Sequence, residues 1–164
     1  MVVVDTCSFS TVFKTTNKEH EKYSLIYAKI IDGSLSLIVG GSVFMENERM
    51  RAHINSLKAD NDKMSIIRII NEDVDKEQKE VEKRAEQNGI PLTDKKLNDQ
   101  HIIALVICSW CQLVCARDKK QPEYLQNRVL YPVSYPQVLP RVYDENRHEE
   151  LIACANLVNE DNVV

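Results

Sequence analysis

Four acidic positions stand where metal-assisted hydrolysis could use them. Asp5 directly follows the apolar run Val2-Val3-Val4, Asp118 follows Leu113-Val114-Cys115, and Asp99 opens the apolar stretch Ile102 to Ile107. Glu46 lies four residues beyond Ser42, the expected cap of a helix that follows Gly40-Gly41. Glu48 competes for the same role, about 200° further round a continuous helix, so that only one of the two faces a common crevice. Carboxylates crowded together repel and raise each other's pKa values, and a bound cation relieves this. Oxygen ligands of this kind suit Mg²⁺ or Mn²⁺, and two such ions about 4 Å apart can orient an attacking water and stabilise a leaving oxygen. Singly, each acid has an ordinary explanation as a turn residue or helix cap, and with 25 acidic residues some fall at strand ends by chance.

Those positions depend on the elements around them. Short β-rich runs alternate with longer helical patterns, which predicts an α/β fold, a three-layer doubly wound parallel sheet of about five strands. Strands are expected at Met1 to Val4, Leu35 to Val39, Ile66 to Ile70 and Gln112 to Cys115, with Asn127 to Leu130 as the candidate fifth. Helices are expected over Ser8 to Lys14, Lys18 to Asp32, Val43 to about Lys58, Asp73 to Asn88, Asp99 to Trp110 and Glu145 to Leu157. The unbroken apolar run from Ile102 to Ile107 marks the fifth of these as buried, and Trp110 as a core residue at its end. In such sheets ligands bind beyond the carboxyl ends of the strands, where strand order reverses. If the first and fourth strands flank that reversal, Asp5 and Asp118 emerge side by side with Asp99 within reach.

The 164 residues fit a single domain, 1–164, and neither a repeat nor a linker divides them. Hydrophobic residues at 43% and charged residues at 28% are ordinary for a globular chain, and no apolar run reaches the roughly 20 residues of a membrane helix. The first residues lack the basic and apolar regions of a secretion signal, so a cytoplasmic location and no membrane partner are expected. The five cysteines lack scaffold spacing, and Cys108, Cys111 and Cys115 read as core residues rather than as a zinc site. The net charge of −4 argues against a surface that attracts nucleic acid as a whole. Any such role needs a local basic rim or bound metal ions.

At several of these positions the chain resembles the PIN-domain family of small metal-dependent ribonucleases. Val-Val-Val-Asp5-Thr6-Cys7 is similar to that family's first strand and first aspartate. Asn98-Asp99-Gln100-His101-Ile102-Ile103-Ala104-Leu105 resembles its helix start with a metal-site aspartate, and Leu113-Val114-Cys115-Ala116-Arg117-Asp118-Lys119 its following strand and terminal aspartate. Gly40-Gly41-Ser42 looks like a subgroup's Gly-Gly-Thr turn before the glutamate helix, and Arg147-His148-Glu149-Glu150-Leu151-Ile152 like its closing segment. The resemblance implies strand order 3-2-1-4-5 and an Mg²⁺- or Mn²⁺-dependent endoribonuclease with Asp5, Glu46, Asp99 and Asp118 as metal-holding catalytic residues. It also implies an RNA substrate, and, for toxin-type members, a small antitoxin or other protein partner and a homodimer. Arg117 departs from the small or polar residue usual at its position.

Thr6 and Ser8 are candidates to hydrogen-bond a phosphate, although helix-start roles explain both. Lys14, Arg117, Lys119 and Lys120 form a candidate basic rim for RNA, against the ordinary reading of solvated surface charges. His101 reads as a packed or capping residue. The loop carrying Tyr131-Pro132, Tyr135-Pro136 and Pro140 reads as a rigid connector. The alternatives to a nuclease are a catalytically degenerate PIN-like domain that binds RNA or protein, and a receiver- or phosphatase-like domain, for which no accompanying motif is evident.

Overall fold

The computed structural model describes residues 1–91, 100–117 and 121–157. Strand β1 (Val2–Val4) leads through α1 (Phe9–Phe13), a 3-10 turn at His20–Tyr23 and α2 (Ser24–Ile31) to β2 (Leu37–Gly40). Helices α3 (Gly41–Glu46) and α4 (Glu48–Asp60) precede β3 (Ile66–Ile69), and α5 (Asn71–Gln87) and α6 (Gln100–Ser109) precede β4 (Leu113–Cys115). Helix α7 (Gln121–Leu125), a 3-10 turn at Arg128–Leu130, β5 (Arg141–Val142), a turn at Glu145–Arg147 and α8 (His148–Leu157) complete the order.

The strands form one parallel sheet in the order β3-β2-β1-β4-β5. Register follows from side-chain alternation, because neighbouring residues of a strand point to opposite faces. Val2 and Val4 share one face with Leu37, Val39, Leu113 and Cys115, covered by Phe13 of α1, Ile26 and Ile30 of α2, Ile54 of α4 and Leu151 of α8. Val3, Ile38 and Val114 face the other way, onto Val74 and Val81 of α5 and Ile103 and Val106 of α6. Helices on both faces explain why the central strands are apolar at every position. Among the described residues no helix is long and apolar enough to cross a membrane.

Four local expectations are corrected. The helix expected from Val43 to Lys58 breaks at Asn47, whose backbone (φ −86°, ψ 80°) leaves the helical region while its side chain accepts from the Met50 N–H at 3.0 Å. That cap starts α4 afresh, so the angle between Glu46 and Glu48 on one continuous helix does not apply. Ser42 is not the cap of α3, which begins at Gly41. The Gly41 N–H donates to Asn71 Oδ1 and the Ser42 N–H to Asp75 Oδ1, both at 2.9 Å, and the Ser42 hydroxyl also donates to Asp75. Side chains of α5 thus cap α3 from across the fold. Gly41 has φ +80°, and a Cβ there would stand 2.9 Å from Val74 Cγ1, which makes glycine necessary.

Asn127 to Leu130 is no strand. The Asn127 side chain caps a 3-10 turn there, and the fifth strand is Arg141–Val142. Trp110 is not core: it is 42% exposed, has φ 57° and stacks near Tyr135 at 6.2 Å. The proline-rich loop is indeed fixed, through Arg128, whose guanidinium donates to the carbonyls of Pro132, Val133, Tyr135 and Pro136.

Candidate active site at the carboxyl edge of the sheet

Strand order reverses between β1 and β4: β2 and β3 extend the sheet on one side of that pair and β5 on the other. The chain leaves β1 at Asp5 and β4 at Ala116-Arg117, and the Asp5 N–H donates to the Cys115 carbonyl at 2.9 Å. The Asp5 carbonyl accepts from the Ser8 N–H, also at 2.9 Å, which turns the chain towards α1. Asp5 therefore stands at the crevice where such sheets bind ligands.

Its side chain is 2% exposed, and its carboxylate accepts a hydrogen bond from the Cys7 thiol. Among the described residues no Lys or Arg pairs with it. A thiol is a weak donor, and burying a carboxylate without a counter-charge is costly. Across the crevice stands His101 of α6, whose pKa burial pushes down and the charge of Asp5 pulls up. Among the described residues its buried Nε2 has no hydrogen-bond partner. A carboxylate so poorly compensated, beside a ring nitrogen in need of a partner, fits a site that takes a cation.

The other expected residues are distributed around Asp5. Thr6 and Lys14 come together as walls of one cleft of about 270 Å³. Ser8 is fully buried, its hydroxyl 3.9 Å from Cys7 Sγ, and it braces the turn after Asp5. Arg117, at the end of β4, pairs with Glu19 at 3.2 Å and is 60% exposed. Glu46 is exposed at the last position of α3 and makes no hydrogen bond or ion pair among the described residues. Asp99, Asp118, Lys119 and Lys120 lie outside the described residues. Among the described residues no group of three or more His, Cys, Asp or Glu side chains could hold a metal ion, so Asp5 is the acid of the expected set that stands buried in the crevice.

Two clefts flank this edge. One, about 690 Å³, opens towards β5 and is lined by Lys22, Tyr23, Arg141, Tyr143 and Arg147. Its cations are already paired, Lys22 with Glu19 and Arg141 and Arg147 with Glu150. Tyr23, whose hydroxyl donates to the Ala116 carbonyl at 3.4 Å, has its pKa pushed up to about 12, chiefly by burial. The other is the smaller cleft beside Thr6, to which α4 adds Arg49 and His53. Sequence reasoning passed over both residues. Their spacing of four on one helix was the available signal, since it places them on a common face.

Neither family models, nor characterised proteins, nor solved structures yield a match to this chain. The fold and site define a doubly wound parallel α/β domain with a buried aspartate at its topological switch point.

Proposed function

We propose that this chain is an Mg²⁺- or Mn²⁺-dependent endoribonuclease of PIN type that hydrolyses RNA phosphodiester bonds. The observation that carries the proposal is Asp5, a carboxylate 2% exposed at the strand-order reversal, with a single thiol donor and no cationic partner among the described residues. The resemblance of the segments around Asp99 and Asp118 supports the same reading. In it Asp5, Asp99, Asp118 and Glu46 hold the ions. A bound divalent ion supplies Lewis-acid chemistry: charge neutralisation at the scissile phosphate and a water of lowered pKa. The chain's own contributions are positional. The hydrogen bond between Asp5 N–H and the Cys115 carbonyl fixes the carboxylate at the edge of the sheet. Buried Ser8, whose N–H donates to the Asp5 carbonyl, and the Cys7 thiol hold the turn that carries it, and the carboxylate would have to leave the thiol to hold an ion. A protein partner that covers this edge, as an antitoxin does in toxin-type members, and a homodimer belong to the same reading.

Asp5→Asn tests it. The variant should lose single-stranded RNA cleavage in Mn²⁺ by roughly 100-fold or more, as expected for removal of a metal ligand. It should keep its cooperative unfolding but lose the stabilisation that Mn²⁺ gives the parent, about 2.7 kcal/mol at a hundredfold excess over Kd. Undiminished cleavage by Asp5→Asn sinks the reading.

A further inference from the structure

Beside Asp5 runs a cleft whose chemistry the hydrolytic proposal does not use. It begins at Thr6, the next residue in the chain, and passes between α1, which contributes Phe9 and Ser10 and is followed by Lys14, and the first turns of α4, which contribute Arg49 and His53. We propose that it is a phosphate subsite, which grips the backbone of single-stranded RNA at a phosphate flanking the scissile one. This deepens the nuclease reading and rests on it for the identity of the ligand.

Three observations point there. Lys14 and Arg49 are both exposed, and neither has an acidic partner among the described residues. On the β5 side of the edge the cations Lys22, Arg117, Arg141 and Arg147 are paired with Glu19 or Glu150. In a chain of net charge −4, two unpaired cations lining one cleft concentrate positive potential where the chain as a whole has none. Finally, His53 lies edge-on to Phe9 at 5.6 Å with its Nε2 buried and, among the described residues, unpartnered, an arrangement that a phosphate oxygen entering the cleft would complete. Asn47 is already committed to the cap of α4, while Lys14, the Arg49 guanidinium fork and His53 stand as ligands beside the Thr6 hydroxyl. At about 270 Å³ the cleft has room for a phosphate and part of its sugar.

The test is binding of a fluorescent oligouridylate to the full chain in EDTA, where cleavage cannot contribute, across a salt series. Replacing both Lys14 and Arg49 by Ala should weaken binding about tenfold and flatten the slope of log K against log salt by about 1.4, at roughly 0.7 per phosphate contact on a single strand. Lys76→Ala with Lys79→Ala, on α5 across the sheet, should leave both quantities unchanged, and Arg49→Lys should restore most of the slope. An unchanged slope in the Lys14/Arg49 pair, or an equal loss in the Lys76/Lys79 pair, overturns the subsite. With Mn²⁺ present, the Lys14/Arg49 pair should raise KM on RNA about tenfold while kcat stays within about twofold. A fall in kcat at constant KM counts against the subsite. A chain that cuts no RNA refutes the hydrolytic proposal, and the metal-free binding still decides this one.

Discussion

Cys7 occupies a revealing position for a thiol, exposed to solvent and yet hydrogen-bonded to a buried carboxylate. The remaining described cysteines lie deeper. Cys108 is pushed up to about 11, first by burial and then by Glu77 and Asp73, while burial also raises Cys111 and Cys115. Only the thiolate reacts with an alkylating reagent, and at pH 9 a group of pKa 11 is about 1% ionised. Pulse alkylation of the folded chain, followed by peptide mass spectrometry, should therefore label Cys7 first, Cys108 slowly, and Cys111 and Cys115 only on unfolding. Rapid labelling of Cys115 in the native chain would contradict its burial. At this scale Asp5 was readable because it ends an apolar run, and the structure finds it at the end of β1. Arg49 and His53 were not, because polar residues on the outer face of a helix look alike until a neighbouring element closes a cleft over some of them. Asp5's partner Cys7 was equally hidden, since nothing in a Thr-Cys-Ser sequence says which way a thiol turns.

Among elements, the junction of β2 and α3 shows how a distant side chain can substitute for a local cap. Asp75 accepts from both the N–H and the hydroxyl of Ser42, and Asn71 accepts from the Gly41 N–H. Asp75→Ala should cost about 1–2 kcal/mol, the range of a lost helix cap, read as a lowered urea midpoint with an unchanged m-value. Gly41→Ala should cost about as much or more, through positive φ and the approach of Val74. If Asp75→Ala is neutral, the capping is incidental. Periodicity revealed α5, α6 and the central strands because burial on defined faces writes itself into apolar spacing. It missed the break at Asn47, where no glycine or proline marks the boundary and the cap residue itself was the only cue. It also misplaced β5, since a two-residue strand at Arg141–Val142 is too short to show any alternation.

Over the whole molecule, two apolar layers enclose several acidic hydrogens that are held in place by burial. Tyr23 and Tyr143 are raised to about 12, and Tyr131, Tyr135, Cys111 and Cys115 are also raised, from ordinary values of 10.0 for phenol and 9.0 for thiol. The unfolded chain releases these protons first, so above about pH 9 it binds fewer protons than the native state and stability falls as pH rises. This contribution is fully present below the unfolded values. Urea midpoints should hold steady from pH 7 to about 8.5 and decline beyond pH 9; a midpoint that rises there would contradict the assignment. Two-sided burial made a parallel sheet legible at this scale, whereas its order came from the family resemblance alone, and the sheet has that order. Trp110, the chain's single indole, lies just before β4 starts, at the pole opposite Asp5. Its intrinsic emission will report collapse of the entire fold and stay dark to events at the far rim, so occupancy there must be followed through a fluorophore carried by the RNA.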